Sequence, residues 1–149
     1  MDANLNRPDL HKLFNIPLSP GLYSFISGDG ARAGRSLLDS SDAIQASPVP
    51  RLSVLTAGTK MSDPSELLAS AEMRQCLDYL ETQWDVIVID GPSMSTSAGS
   101  GVIAPLVDGV VLVAAEGQAS SKSVEESVTE LNALGAHAIG LVYCKATES

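Results

Sequence analysis

Basic residues are scarce in this chain: 9 Lys and Arg residues stand against 18 Asp and Glu residues, which gives a formal net charge of −9 over 149 residues. This balance argues against a nucleic-acid-binding surface, which is normally basic, and against a general attraction to anionic membranes. We therefore expect no nucleic-acid partner.

Cysteines, aromatic residues and long apolar runs are also few. Cys76 and Cys144 match no metal or redox spacing, so with no visible signal peptide they are typical of reduced thiols in a cytosolic protein. The longest apolar run, from Gly109 to Ala115, is far too short to span a bilayer. We expect a soluble, cytoplasmic chain with no direct membrane insertion. Its length and its 44% hydrophobic content suit a single domain spanning residues 1–149.

The most informative stretch is Asp85–Pro92, with the sequence DVIVIDGP. Four β-branched residues followed by a carboxylate and Gly-Pro predict a strand buried on both faces. Asp90 would then lie at the carboxyl end of the strand, where open α/β sheets bind ligands. A magnesium-binding role and a plain cap of a turn or helix remain equally open for Asp90 on this pattern alone.

Helix and strand signals alternate along the rest of the chain. Short helices are predicted after Asp9 and after Ser19-Pro20-Gly21, the second with Leu22, Phe25 and Ile26 on one face at i, i+3, i+4. A longer helix is predicted after Ser70, and another begins with a Ser123–Glu126 capping box and stops at Gly135. Further strands are predicted at 52–58, 109–115 and 138–144. Since no hairpin signal is visible, the pattern favours an α/β three-layer sandwich with a mostly parallel sheet.

Two further motifs match known functional sites only in part. The run GDGARAG at 28–34 is glycine-rich, but neither flank fits a phosphate loop, so a surface loop is expected. Ser93 follows a strand in a run close to the GxSxG elbow of serine hydrolases, and Asp108 and His137 come later in that fold's chain order. The closing Gly is absent, which leaves a serine hydrolase as a remote alternative.

Taken in order, seven pieces resemble the cytoplasmic domain of bacterial tyrosine kinases, P-loop ATPases related to the MinD/ParA group that work with polysaccharide co-polymerases. These pieces are MDANLNRPDLHKLF, PGLYSFISG, LSVLTAG, DPSELLAS, MRQCLDYLE, DVIVIDGP and APLVDGVVLV. The first is similar to the family's DxDxR motif, and DVIVIDGP is similar to its Walker B stretch. The resemblance implies a P-loop NTPase-like fold, ATP and Mg²⁺ as cofactors, and a role in capsular or exopolysaccharide synthesis.

The same resemblance implies roles for particular residues. Asp90 would hold magnesium through water, and Asp2 would contact the metal or act as the base. Nucleotide contacts are implied for Asn4, Arg7, Pro92, Cys144 and Lys145. It further implies a membrane polysaccharide co-polymerase as partner, and a cytoplasmic location with attachment to the inner membrane only through that partner.

The chain also departs from the family pattern. Asn4 replaces the second Asp of DxDxR, Asn6 replaces its Arg, and Cys144 stands where the family usually has an Asn. The Walker A loop and its strand, which precede DxDxR in the family, do not occur in these residues. We therefore expect little kinase activity from this chain alone, and self-association through the exposed sheet edges. A degenerate, non-catalytic interaction module is the alternative.

Overall fold

The computed structural model describes residues 1–27, 42–94 and 98–145 of the chain. Its contacts divide the chain into two units, Met1–Pro92 and Ser93–Ser149, and each unit is treated by itself. The prediction of a single domain stays a prediction. The glycine-rich run at 28–34 lies outside the described residues.

The first unit begins with two short helices at the predicted places. Its elements are α1 (Leu10–Leu13), α2 (Leu22–Ile26), β1 (Ile44–Ala46), β2 (Ser53–Leu55), α3 (Ser65–Leu68) and α4 (Ala71–Glu81). Helix α4 starts at the predicted cap, since the Ser70 hydroxyl accepts a hydrogen bond from the Met73 N–H at 3.2 Å. The start of α4 is therefore determined locally by its cap residue.

Helix α2 packs against helix α4 and forms part of the buried core of the first unit. Leu22, Phe25 and Ile26 share one face of α2 and are all buried. The Phe25 ring lies against Tyr79 of α4, with 5.8 Å between the ring centroids and a tilted arrangement. The i, i+3, i+4 spacing that predicted this helix also supplies its buried face.

Strands β1 and β2 pair antiparallel, with Ile44 opposite Leu55, and form a hairpin for which no signal was visible in the sequence. The connection is closed by a hydrogen bond from the Ser47 N–H to the Leu52 carbonyl at 3.2 Å, and Arg51 adopts a positive φ of 65°. Strand β1 is only three residues long, so it is too short to show an alternating pattern in the sequence.

The segment Val86–Ile89 is not paired as a regular strand. Its contact with the start of the chain is an isolated parallel bridge between Asp2 and Asp90. The side chains of Val86 and Val88 are 76% and 75% exposed, so the prediction of a strand buried on both faces was wrong. Side chains alternate along an extended segment; here Ile87 and Ile89 are half-buried, whereas the two valines face away from the core.

The second unit contains a two-stranded parallel sheet and one long helix. Its elements are α5 (Ala98–Ile103), a 3₁₀ turn (Ala104–Leu106), β3 (Val110–Ala115), α6 (Ser121–Ala133) and β4 (Ala138–Cys144). Strands β3 and β4 pair parallel, with Leu112 opposite Leu141. The predicted α/β class with a parallel sheet is confirmed, and β4 has the predicted bounds.

Helix α6 begins earlier than predicted. The capping box joins Ser120 and Ser123, each side chain accepting from the other's main-chain N–H at 3.1 and 2.9 Å, and not Ser123 and Glu126. A serine in the N3 position can replace the usual Glu because its hydroxyl also reaches back to the cap. The helix ends at Ala133, and Gly135 follows its C-cap residue Leu134 with a φ of 74°, which agrees with the predicted end.

One face of the β3–β4 sheet is packed and the other is open. Leu131 of α6 is fully buried together with Ala104 and Ala136, and Val110 and Leu112 pack against this cluster. On the alternate face of β3, Val111 and Val113 are exposed, Val113 by 69%. Among the described residues, no helix is long and apolar enough to cross a membrane.

Candidate functional site

The candidate site of the first unit lies where the start of the chain meets the end of the DVIVIDGP segment. The Ala3 N–H donates to the Asp90 carbonyl, and the Asp90 N–H donates to the Met1 carbonyl, both at 2.9 Å. On the other side, the Asp2 N–H donates to the Leu55 carbonyl of β2 at 2.8 Å. The main chain at Asp2 therefore lies between β2 and Asp90.

The carboxylate of Asp2 is fully buried and accepts three main-chain hydrogen bonds. Its Oδ1 accepts from the Asn4 N–H, and its Oδ2 accepts from the N–H groups of Asp9 and Leu10, each at 3.2 Å. The first N–H groups of a helix have no partner within the helix. Asp2 thus supplies acceptors to the start of α1, where Asp9 itself makes no side-chain cap bond.

Burial governs the protonation of the two carboxyls. Desolvation raises the pKa of Asp2, the hydrogen bonds from Leu10, Asn4 and Asp9 oppose this, and the negative charge of Asp90 adds to it. Partial desolvation also raises the pKa of Asp90, against the lowering effect of the Met1 amino group. That amino group donates to the Val88 carbonyl at 2.7 Å.

Asn4 and Arg7 form a turn beside Asp2. The Arg7 N–H donates to the Asn4 carbonyl at 3.0 Å and to the Asn4 Oδ1 at 3.3 Å. The side-chain oxygen of Asn4 is therefore already engaged by the main chain, whereas the Arg7 residue is exposed. The turn leaves the Arg7 guanidinium accessible to an anion from solvent.

Two polar atoms near this turn are buried without a hydrogen-bond partner among the described residues, the Oδ1 of Asn6 and the Nδ1 of His11. Asn6 stands where the family has an Arg, so the substitution replaces a long cation with a short amide. Buried polar atoms in native proteins are nearly always paired. These two atoms are therefore exceptions to that rule among the described residues.

The predicted site residues are distributed over both units. Asp2, Asn4, Arg7, Asp90 and Pro92 belong to the first unit, where the Asp2–Asp90 bridge joins the DxDxR-like and Walker B-like stretches. Pro92 is buried and Asp90 is exposed. Asp90 therefore lies at an exposed position after the Val86–Ile89 segment, and its role as a magnesium-binding residue stays a prediction.

Cys144 and Lys145 belong to the second unit, at and just after the end of β4, and both are exposed. The Cys144 carbonyl accepts from the Glu116 N–H at 2.9 Å. Ser93, Asp108 and His137 of the hydrolase alternative also lie in this unit, with the His137 carbonyl accepting from Val110 at the start of β3. That alternative stays a prediction.

The described residues of the first unit offer few side-chain ligands for a hard cation. Across the described ranges, no group of three or more His, Cys, Asp or Glu residues could hold a metal ion. Magnesium, however, is commonly bound through one or two carboxylates while it keeps several waters. The exposed carboxylate of Asp90 suits that mode, whereas the Asp2 carboxylate is buried and already accepts three main-chain hydrogen bonds.

Sequence reasoning did not find the partners of Asp2. A usable signal was present, because a helix start at Leu10 leaves donors that need an acceptor. A carboxylate a few residues upstream is a natural acceptor, although its identity follows only from how the turn at Asn4–Arg7 folds back.

Comparisons with known proteins give consistent results. No protein-family model matches the chain. The chain is 30% identical to the putative tyrosine-protein kinase CapB of Staphylococcus aureus over 97% of its length, which is 60% of that protein. It is 31% identical to the tyrosine-protein kinase ptk of Acinetobacter johnsonii over 95% of its length, which is 18% of that protein.

The fold is similar to the solved structure of the VpsO kinase domain. The TM-score is 0.85 at 29% identity, covering 98% of this chain and 68% of that one. The chain thus matches tyrosine kinase domains over nearly its whole length, but it spans less than two thirds of the curated relatives CapB and ptk.

Proposed function

Because the chain belongs to the bacterial tyrosine kinase family, with its P-loop NTPase-like fold, we propose that it forms part of a tyrosine-kinase-like ATPase domain acting in capsular or exopolysaccharide synthesis. The observation that carries the proposal is the Asp2–Asp90 bridge, which joins the two stretches that resemble the family's nucleotide-site motifs. The exposed Asp90 carboxylate at this junction is the residue on which the chemistry depends.

In this proposal, ATP and Mg²⁺ are the cofactors. When bound, the metal would neutralise charge on the transferred phosphoryl group. Asp90 would hold the cation through its water shell, and the exposed Arg7 would offer a guanidinium to phosphate oxygens. These residues position charge, which is the main contribution of a protein to phosphoryl transfer.

These residues alone should bind nucleotide weakly. The sequence contains no GxxxxGK[ST] run, whose main-chain N–H groups and Lys would cradle the phosphates. Asn4 has no charge to add beside Asp90, and its side-chain oxygen is engaged by Arg7. Strong kinase activity therefore depends on groups other than those described in this unit.

A non-catalytic interaction module is the second candidate function. Asn4 and Asn6 replace two charged residues of the family motif, and the exposed valines at 86 and 88 provide an apolar surface. Apolar surface of this kind commonly marks a contact with another protein. In either case the proposed partner is a membrane polysaccharide co-polymerase, with the chain in the cytoplasm and able to self-associate.

Calorimetric titration of the chain with ATP-Mg²⁺ tests the nucleotide part of the proposal. We expect a dissociation constant no tighter than the millimolar range, about −4 kcal/mol. A micromolar constant, about −8 kcal/mol, would contradict weak binding, because Asp90 and Arg7 could not supply it.

Reconstitution tests the kinase part. The chain is mixed with an upstream fragment of a related kinase that carries a GxxxxGK[ST] loop, and phosphate transfer to tyrosine is measured for the unchanged chain, Asp90→Asn and Asp85→Asn. Asp85 is an exposed carboxylate on the same segment and serves as the matched control. Loss of transfer in Asp90→Asn alone supports the kinase function. Equal, non-zero rates in all three would rule out the metal role of Asp90, and zero rates in all three would favour the interaction module.

A further inference from the structure

The Asp2 carboxylate accepts main-chain hydrogen bonds on both of its oxygens. It has no exposed surface, and both of its oxygens accept main-chain hydrogen bonds, from Asn4 on Oδ1 and from Asp9 and Leu10 on Oδ2. These donors lie on the two sides of the Asn4–Arg7 turn. A single side chain therefore ties both ends of this turn to the main chain beside Asp90.

We propose that Asp2 is a positioning residue, which holds the Asn4–Leu10 segment in place beside Asp90 and binds neither the cation nor a proton of the substrate. The assignment of Asp90 as the cation-binding carboxylate rests on the proposed function. The assignment of Asp2 rests on the geometry of its own hydrogen bonds.

The alternative role, in which Asp2 binds the metal or acts as a base, conflicts with these contacts. A cation on Oδ2 would have to compete with two N–H groups that already approach it at 3.2 Å, and a cation on Oδ1 would have to enter beside the Asn4 N–H in a residue with no exposed surface. Displaced donors at a helix start have no other partner in the helix. Asp90, by contrast, offers its carboxylate at an exposed position.

The chemistry of an Asp2→Asn variant is decisive because Asn has one acceptor oxygen and one donor nitrogen. Its amide cannot satisfy both sides of the carboxylate at once. It must lose either the Asn4 contact or the pair of contacts to Asp9 and Leu10. The segment from Asn4 to Leu10 should therefore loosen locally.

The experiment measures backbone amide exchange by NMR in the unchanged chain, Asp2→Asn and Ser70→Ala. Ser70→Ala removes a cap in the same unit, at the start of α4, and controls for general destabilisation. We expect amide exchange to become at least about tenfold faster at Asn4, or at Asp9 and Leu10, in Asp2→Asn only, as local opening requires. Unchanged exchange at all three amides would overturn the proposal.

A titration with Mn²⁺, used as the probe cation, separates positioning from ligation. Its paramagnetic broadening should appear at Asp90 and Gly91 with the same midpoint, within about twofold, in the unchanged chain and in Asp2→Asn, since Asp2 contributes no ligand. We also compare the broadening of the Asn4 and Arg7 signals with that of the Asp90 signal. This ratio should differ between Asp2→Asn and the unchanged chain, because the variant no longer fixes the distance from Asn4 and Arg7 to the cation. A merely structural role would leave that ratio unchanged, as we expect for Ser70→Ala.

Different results would contradict the positioning role of Asp2 and the cation-binding role of Asp90. If Asp2→Asn abolishes the Mn²⁺ effect while Asp90→Asn does not, Asp2 is a ligand and the positioning proposal is overturned. If Mn²⁺ causes no broadening at Asp90 in any variant, the cation role within the proposed function fails. The exchange rates at Asn4, Asp9 and Leu10 then decide the role of Asp2 alone.

Discussion

Gly21 and Gly58 pass each other in direct main-chain contact. A Cβ atom on Gly21 would lie 2.4 Å from both the Gly58 nitrogen and the Thr56 carbonyl oxygen. The Leu22 N–H donates to that carbonyl at 2.6 Å, and the Gly58 N–H donates to the Leu18 carbonyl at 3.0 Å. This contact fixes α2 against the end of β2, and Gly58 also has a φ of 85° that favours glycine.

Replacement of Gly21 by alanine should therefore destabilise the first unit. The added methyl group meets main-chain atoms, which cannot move aside as a side chain can, so we expect a loss of about 2 kcal/mol or more in the free energy of unfolding. Gly91→Ala is the control, because no atom lies within 4 Å of its added Cβ, and it should change stability by less than about 0.5 kcal/mol. Urea unfolding of both variants measures the difference; equal stabilities would contradict the close contact.

The two cysteines should differ sharply in reactivity. Cys76 is buried in α4, and burial raises the pKa of its thiol to about 12, whereas Cys144 is exposed at the end of β4. Since the thiolate is the reactive form, a disulfide reagent at neutral pH should modify one thiol in the folded chain and two in denaturant. A Cys144→Ser variant should show no fast reaction. Rapid modification of Cys76 in that folded variant would show that the first unit opens readily.

The stability conferred by Asp90 should depend on pH in a defined direction. Its pKa is raised in the folded chain, mainly by desolvation. The contribution of Asp90 is therefore full below the unfolded value of about 3.9 and is lost as the pH rises through the higher folded value.

The measurement compares the unchanged chain with Asp90→Asn in the presence of a chelator. The stability of the unchanged chain relative to the variant should fall from about pH 4 towards pH 7, because only the unchanged chain acquires the charge. Asp85→Asn, for comparison, removes an exposed carboxylate of the same segment. The opposite result would be a stability difference between the unchanged chain and Asp90→Asn that rises with pH. It would mean that ionised Asp90 has a favourable partner in the folded chain.

Leu131 should carry much of the packing of the second unit. It is fully buried between α6 and the β3–β4 sheet, so Leu131→Ala should cost about 2–5 kcal/mol of unfolding free energy by lost burial and cavity formation. Leu134, three positions later, is 39% exposed, and Leu134→Ala should cost less than about 1.5 kcal/mol. Calorimetric unfolding measures the loss of stability in both variants. Similar losses would mean that Leu131 is not the central packing residue of this unit.

The sequence by itself determined the local elements and the family. Apolar spacing at Leu22, Phe25 and Ile26 marked α2 and its buried face, Ser70 marked the start of α4, and β4 was bounded correctly. These features depend on residues within a few positions of one another, where propensity, capping and periodicity act. The ordered run of short motifs likewise identified the tyrosine kinase family, which the comparisons support.

Only the tertiary structure decided what surrounds the candidate site. The apolar run before Asp90 predicted burial on both faces, yet Val86 and Val88 are exposed, because burial depends on what packs against a segment and not on its composition. The sequence analysis also did not predict the pairing of β1 with β2 or the partners of the Asp2 carboxylate. Each joins residues through a chain reversal, and these contacts form only when the segments on the two sides of the reversal fold against each other.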